Sequence, residues 1–225
     1  MNWESTLEFA RGPFFQVALL VFIAGMTYRL VAVLALGWKA DKVKSKGSKV
    51  NGIAMSFAKG ILIWPFIPWV KNTFTRNPIT YLAGGLFHLG LFVVIFLGAA
   101  HVLVWKSLLG FAWFSLPQPI VDWLAAGAIV AMIALFINRL VNPVLKLLTG
   151  PAEWLNWLVV FLPMVSGYAM THHVIPEYDT LFAIHMLTVD VLLIWIPLSR
   201  ISHFMFYFFS KAIHGSDFGK RAVTP

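Results

Sequence analysis

FHLGLFVVIFLGAAH, residues 87–101, decides the fold. Between His88 and His101 it is an unbroken apolar run with no charge and no proline, the composition of a helix in hydrocarbon. Similar runs recur along the 225 residues. Hydrophobic residues make up 60% of the chain and charged residues 12%, and the mean hydropathy is +0.81. A soluble domain carries about twice that charge. The runs are continuous rather than alternating, which argues against a strand barrel. The expectation is an all-α polytopic membrane protein.

Five spans are predicted, at about 13–36, 79–105, 120–140, 154–171 and 181–209. They form an antiparallel bundle in a single membrane domain, 1–225, with no internal repeat. Between the first two spans lies a basic loop, 38–78. It opens with WKADKVKSKGSKV, which holds five lysines. Next comes NGIAMSFAKGILIWPFIPWVKNTFTR, residues 51–76, where Trp64, Pro65, Pro68 and Trp69 interrupt the pattern. That piece is too broken to span and predicts an interfacial helix or a re-entrant edge at the headgroups, with a sixth span as the alternative.

Basic residues set the expected orientation. Lys39, Lys42, Lys44, Lys46, Lys49, Lys59, Lys71 and Arg76 follow span one. Arg139 and Lys146 follow span three, and Lys211, Lys220 and Arg221 are in the tail. The other side has only Arg11 and Lys106, with Glu177 and Asp179. The N-terminus is therefore expected outside and the C-terminus in the cytoplasm. The net charge of +8 reads as membrane topology, not as nucleic-acid binding. Glu4 and Glu8 stand where a cleavable signal would be positive. The chain has no cysteine, which excludes thiolate-bound iron–sulfur clusters and covalent c-type haem in this chain.

Intramembrane histidine needs a partner or a task. Four histidines fall in predicted spans: His88 and His101 in the second, His185 and His203 in the fifth. The two spans run in opposite directions, so His88 pairs with His203 at the inner depth and His101 with His185 at the outer. Facing imidazoles can hold one haem iron by both axial positions, so two pairs predict two non-covalent b-type haems. The 18 residues from His185 to His203 are five whole turns and place both on one helix face. The 13 residues from His88 to His101 leave a rotation of about 220° on a regular helix. Gly98, Ala99 and Ala100 are where a distortion could absorb it. Histidines satisfied by neighbouring helices, or facing a polar cavity, are the plainer alternative.

With those residues in place, the chain resembles the di-haem cytochrome b subunits of the respiratory nitrate reductase gamma type. Relatives of that family include the cytochrome b subunits of redox complexes in sulfate-reducing bacteria, such as the high-molecular-weight cytochrome c complex. FHLGLFVVIFLG looks like the family's second helix, and IHMLTVDVLLIWIPLSRISH like its fifth, with the P-x-S-R-x-x-H pattern at 197–203. The clear likeness covers about a fifth of the chain. It departs at Gly98, where the nitrate reductase branch has its second helix-two ligand, ten residues after the first. His172 and His173, in AMTHHVIPEYD, are alternative outer ligands or simply loop residues.

Haem propionates are anionic, which makes Arg200, Ser199 and Arg29 candidate partners at the inner haem; the arginines could equally snorkel to the interface. Asp190 lies mid-span between the histidines and is a candidate proton relay, or a hydrogen-bonding group to a neighbouring helix or subunit. Gly84, Gly85, Gly90 and Gly98 allow close approach of helices or of a macrocycle.

The expected function is electron transfer across a bacterial cytoplasmic membrane, as a subunit of a larger oxidoreductase rather than an enzyme alone. Expected partners are membrane lipid, a cytoplasmic iron–sulfur subunit on the lysine-rich side, and a periplasmic multihaem cytochrome c or ferredoxin-like subunit. Other integral membrane subunits complete the set. Menaquinone is an open candidate, with no decisive motif. The alternatives are a transporter or proton channel lined by the histidines and Asp190, and a cofactor-free membrane anchor.

Overall fold

The computed structural model describes residues 2–36, 44–63 and 72–223. Lys39, Lys42 and Lys71 of the basic loop lie outside those residues, as do Trp64, Pro65, Pro68 and Trp69 of the expected interfacial segment. The fold is all-α, with no strand among the described residues. Helices α1 (Trp3–Phe9) and α2 (Phe15–Ala35) are joined by a π-helical turn at Ala10–Phe14. There Gly12 leaves helical geometry just before Pro13. Then come α3 (Lys49–Phe57), α4 (Asn72–Arg76), α5 (Pro78–Leu97) and α6 (Ala99–Leu109). The chain continues through α7 (Gln118–Val141), α8 (Pro143–Leu148), α9 (Pro151–Thr171), α10 (Tyr178–Leu198) and α11 (His203–Lys220).

Five helical segments among the described residues are long and apolar enough to cross a membrane: Trp3–Ala35, α5, α7, α9 and α10. This agrees with the five predicted spans, but three boundaries differ. The first helical segment starts ten residues earlier, at Trp3 rather than 13. The second span is not one helix to residue 105, because α5 stops at Leu97 and α6 starts afresh. Likewise the fifth does not run to 209. It stops at Leu198, and Arg200–Ser202 form a 3₁₀ turn before α11. Pro197 has no N–H to continue the ladder, and Ser199 is extended, its hydroxyl capping the Ile201 N–H at 3.2 Å. His185 and His203 therefore sit on different helices, and the one-face argument for them does not hold.

The chain divides into two compact units. One comprises residues 1–19 and 77–195, the other 20–76 and 196–225. In the first unit, α5 packs on α7 through Gly90. A side chain there would stand 2.5 Å from the Leu124 carbonyl and 2.7 Å from Ala128 Cβ. Among the described residues nothing lies within 4 Å of a Cβ at Gly84 or Gly85, so of these three only Gly90 serves close approach of helices. Asn138 ties the end of α7 to the start of α5, donating to Thr80 Oγ1 at 3.0 Å and to Asn77 Oδ1 at 3.3 Å. Indole N–H groups fix the later helices: Trp157 donates to the Met132 carbonyl at 3.0 Å, and Trp195 to Asn156 Oδ1 at 2.7 Å. Arg11 lies 5.0 Å over the Phe182 ring.

In the second unit, α3 and α11 meet through glycines. Side chains at Gly52, Gly215 or Gly219 would strike backbone atoms of the opposite helix within 3 Å. Glycines 215 and 219 form the small-xxx-small spacing that lets helix backbones touch. The carbonyl of Lys220 accepts the N–H groups of Lys46 and Gly47 at 2.9 and 3.1 Å, which pins the basic segment to the end of α11. The helix expected within 51–76 thus exists, and it packs on the C-terminal helix.

The carbonyls at the break at Gly98 are hydrogen-bonded. A helix end leaves carbonyls without intrahelical donors, and in hydrocarbon each bare one costs several kcal/mol. Here Ile95 accepts from the Trp105 indole at 2.9 Å, and Phe96 from the Trp113 indole at 2.5 Å. Leu97 accepts from the Leu116 N–H at 2.8 Å, and Gly98 from Val102 at 2.9 Å. Replacing Trp105 by Phe keeps the ring stacked on Phe96 but strips the Ile95 carbonyl. The expected destabilisation is about 1–3 kcal/mol, read as a lowered thermal midpoint of the purified chain in detergent. An unchanged midpoint would contradict this accounting.

Candidate functional site

The structure brings together one of the two predicted histidine pairs. His101, in the first turn of α6, faces His185 on α10, with ring centroids 6.3 Å apart and planes at 74°. The break at Gly98 makes this possible. Gly98 is extended, with φ −70° and ψ 130°, so α6 leaves with a new direction. The 220° rotation, which assumes one regular helix, no longer applies. A side chain at Gly98 would stand 2.6 Å from the Val94 carbonyl.

His185 is buried and held from one side by α9. Its Nδ1 lies 3.2 Å from Ser166 Oγ. Ser166 has one hydroxyl proton, and the Leu162 and Pro163 carbonyls compete for it at 2.8 and 3.2 Å. Towards His185 it therefore accepts, which assigns the ring proton to Nδ1 and the lone pair to Nε2. Thr188 lies 3.2 Å from the same hydroxyl and donates to the His185 carbonyl at 2.8 Å. Gly167 makes the room: a Cβ there would stand 2.9 Å from the ring's Cε1. Ser166, Gly167 and Thr188 were not singled out from the sequence. The SG pair at 166–167 inside an apolar helix is the signal that could have marked them.

Two donors facing one another suit a particular kind of ligand. A metal–imidazole bond is about 2 Å and the ring centre lies about 1 Å beyond the nitrogen, so imidazoles on opposite axial positions of one metal have centres about 6 Å apart. The observed 6.3 Å fits, although it is also the spacing of an edge-to-face ring pair. Among the described residues no three His, Asp or Glu side chains converge as a bare ion needs. The donor set fits a metal that brings its remaining ligands with it, as haem iron does.

The other candidates are placed as follows. His88 on α5 turns Nδ1 to the Gly84 carbonyl at 2.7 Å and packs edge-on to Phe87. His203 opens α11 and turns Nδ1 to the Arg200 carbonyl at 3.0 Å. His88 belongs to the first unit and His203 to the second. Arg200 is exposed on the 3₁₀ turn, so it does not share a regular helix face with His203. Ser199 is buried and caps that turn. Arg29 reaches the same turn from α2, donating to Ser202 Oγ at 2.6 Å. Asp190 is fully buried, with neither carboxylate oxygen hydrogen-bonded among the described residues.

His172 and His173 make other contacts. His172 stacks on Tyr168 at 4.0 Å, turns Nδ1 to the Tyr168 carbonyl at 2.9 Å and lies 3.9 Å from Asp122. His173 has φ 47° and lies against Tyr178. Local Nδ1 bonding alone does not single out a ligand, since His172 shares it. What singles out His101 and His185 is that they face each other.

Over 211 residues the chain is 28% identical to a protein of Nitratidesulfovibrio vulgaris strain Hildenborough, described only as "Protein". The match covers 93% of this chain and 92% of that one. No family model matches the chain, and no solved structure does.

The burial contrast is testable by diethyl pyrocarbonate modification with peptide mapping. His172 is expected to react much faster than His185 in the folded chain. Equal rates would contradict the placement of His185 behind Ser166 and Gly167.

Proposed function

We propose that the chain is a di-haem b-type cytochrome, the electron-carrying membrane subunit of a respiratory redox complex. The observation that carries this is the His101–His185 pair, whose spacing would suit two ligands of one haem iron. Bound there, haem supplies one-electron transfer. The chain's own part is to hold and orient it. His185 presents Nε2 because Ser166 takes Nδ1–H. Gly167 lets the imidazole lie against α9, and the burial of His185 keeps water from that ring. His88 and His203 are the candidate ligands of the second haem, a reading that rests on the sequence. Arg29, Ser199 and Arg200 are the candidate propionate partners.

The resemblance to the nitrate reductase gamma type, and to cytochrome b subunits such as that of the high-molecular-weight cytochrome c complex, supports the same reading. On this reading the chain lies in the bacterial cytoplasmic membrane, N-terminus in the periplasm and C-terminus in the cytoplasm. Its neighbours would be a cytoplasmic iron–sulfur subunit, a periplasmic multihaem cytochrome c or ferredoxin-like subunit, and other integral membrane subunits. Menaquinone is a candidate redox partner, and the chain is not catalytic alone.

A dithionite-reduced minus oxidised spectrum of the purified chain, with haem quantified in pyridine, tests this. Two b-type haems per chain are expected. His101→Ala and His185→Ala should each remove one and the same haem, and Gly167→Val should do so with both ligands still present. Two haems retained in either histidine variant would overturn the pairing. A folded chain without haem would overturn the function and leave the transporter or channel.

A further inference from the structure

The second unit carries a further surface, on α3 and α11. Helix α11 holds a stripe at i, i+3, i+4 and i+7: Phe204, Tyr207, Phe208 and Lys211. The three aromatic residues are exposed. Phe57 of α3 stacks on Phe208 at 6.3 Å and widens the stripe. Lys211 closes it. Its ammonium lies 5.6 Å over the Tyr207 ring, and its chain crosses Gly60, where a Cβ would stand 2.9 Å from Nζ. The Tyr207 hydroxyl donates to the Gly60 carbonyl at 3.3 Å, beside Lys59.

Charge in this unit is one-sided. Lys44, Lys46, Lys49, Lys59, Lys211, Lys220 and Arg221 flank α3 and α11, against Asp217 as the only carboxylate among the unit's described residues. Arg29 on α2 bonds Ser202, the residue before α11, and so ties the start of α11 to the spanning helix.

We infer that the α3–α11 pair is a docking surface for anionic phospholipid, with Phe204, Tyr207 and Phe208 at the acyl boundary and Lys59 and Lys211 on the headgroup phosphate. An aromatic helix face bordered by lysines, here Lys211 and the neighbouring Lys59, is a pattern of helices that lie at the membrane interface. Lysine stems lie along apolar surface while their ammonium groups reach the phosphates. Each such lysine favours an anionic surface over a neutral one severalfold. The inference is independent of the haem.

The test uses the full chain, exchanged in detergent into equal phosphatidylglycerol and phosphatidylcholine, with retained lipid identified by mass spectrometry. Phosphatidylglycerol is expected to be enriched. Lys59→Gln with Lys211→Gln should lower that enrichment roughly tenfold or more, at unchanged helix content and unfolding midpoint. The double arginine variant should keep it. Equal retention of both lipids by the wild type would overturn the inference, as would undiminished enrichment in the glutamine variant. Displacement of the lipid by inorganic phosphate would assign a free-anion site instead. Loss of a co-purifying protein subunit, with lipid preference intact, would assign the surface to a protein partner.

Discussion

In hydrocarbon a backbone carbonyl has no water to fall back on, and the histidine pair depends on how this chain meets that constraint at Gly98. A helix can stop inside an apolar segment only if donors arrive from elsewhere. Two tryptophan indoles and a main-chain N–H supply them for Ile95, Phe96 and Leu97. The break is thereby permitted, α6 takes its own direction, and His101 is carried to the face of His185. Without those donors a continuous helix is favoured, and His101 lies on the wrong side of it. The geometry of a polar site is thus set by apolar residues 10 to 19 positions beyond the carbonyls they satisfy.

Hydrocarbon also removes the usual drive for helices to associate, so close approach has to come from shape. Small residues recur at the contacts that matter. Gly90 admits the backbone of α7, Gly167 admits the ring of His185, and Gly52 interlocks with Gly215 and Gly219. Each replaces a side chain by van der Waals contact between larger groups. The loss is local, and what is gained is a fixed distance between elements.

Long apolar runs are legible in one dimension, which is why five spans and the all-α class could be read from composition alone. The pairing of His101 with His185 was legible as well, through opposed helix directions. Less legible were the places where a helix stops. Gly98 is a small apolar residue and Ser199 follows an ordinary apolar turn, so neither lowers hydropathy enough to mark an end. The five-turn spacing of His185 and His203 assumed a helix that Pro197 and the Ser199 cap interrupt. Ser166 and Thr188 escaped for a different reason. A hydroxyl that bonds its own helix backbone is unremarked in a sequence, and only the fold shows that it also meets an imidazole.

What kind of metal two imidazoles can hold follows from what they leave unfilled. A bare zinc ion in a structural site takes four protein ligands, and a catalytic one three. Around His101 and His185 the nearby polar groups are hydroxyls already engaged with backbone carbonyls. His172 is committed to Tyr168 and Asp122. Asp190, five residues along α10 from His185, rises about 7.5 Å from it and points to another side of the helix. Around this pair the described residues offer two facing imidazoles and few further donors. That set would suit the group proposed above, haem, which carries its remaining metal ligands with it. The scarcity of further ligands, in a segment where every additional polar group is expensive, is itself the reason such a site suits a membrane helix bundle.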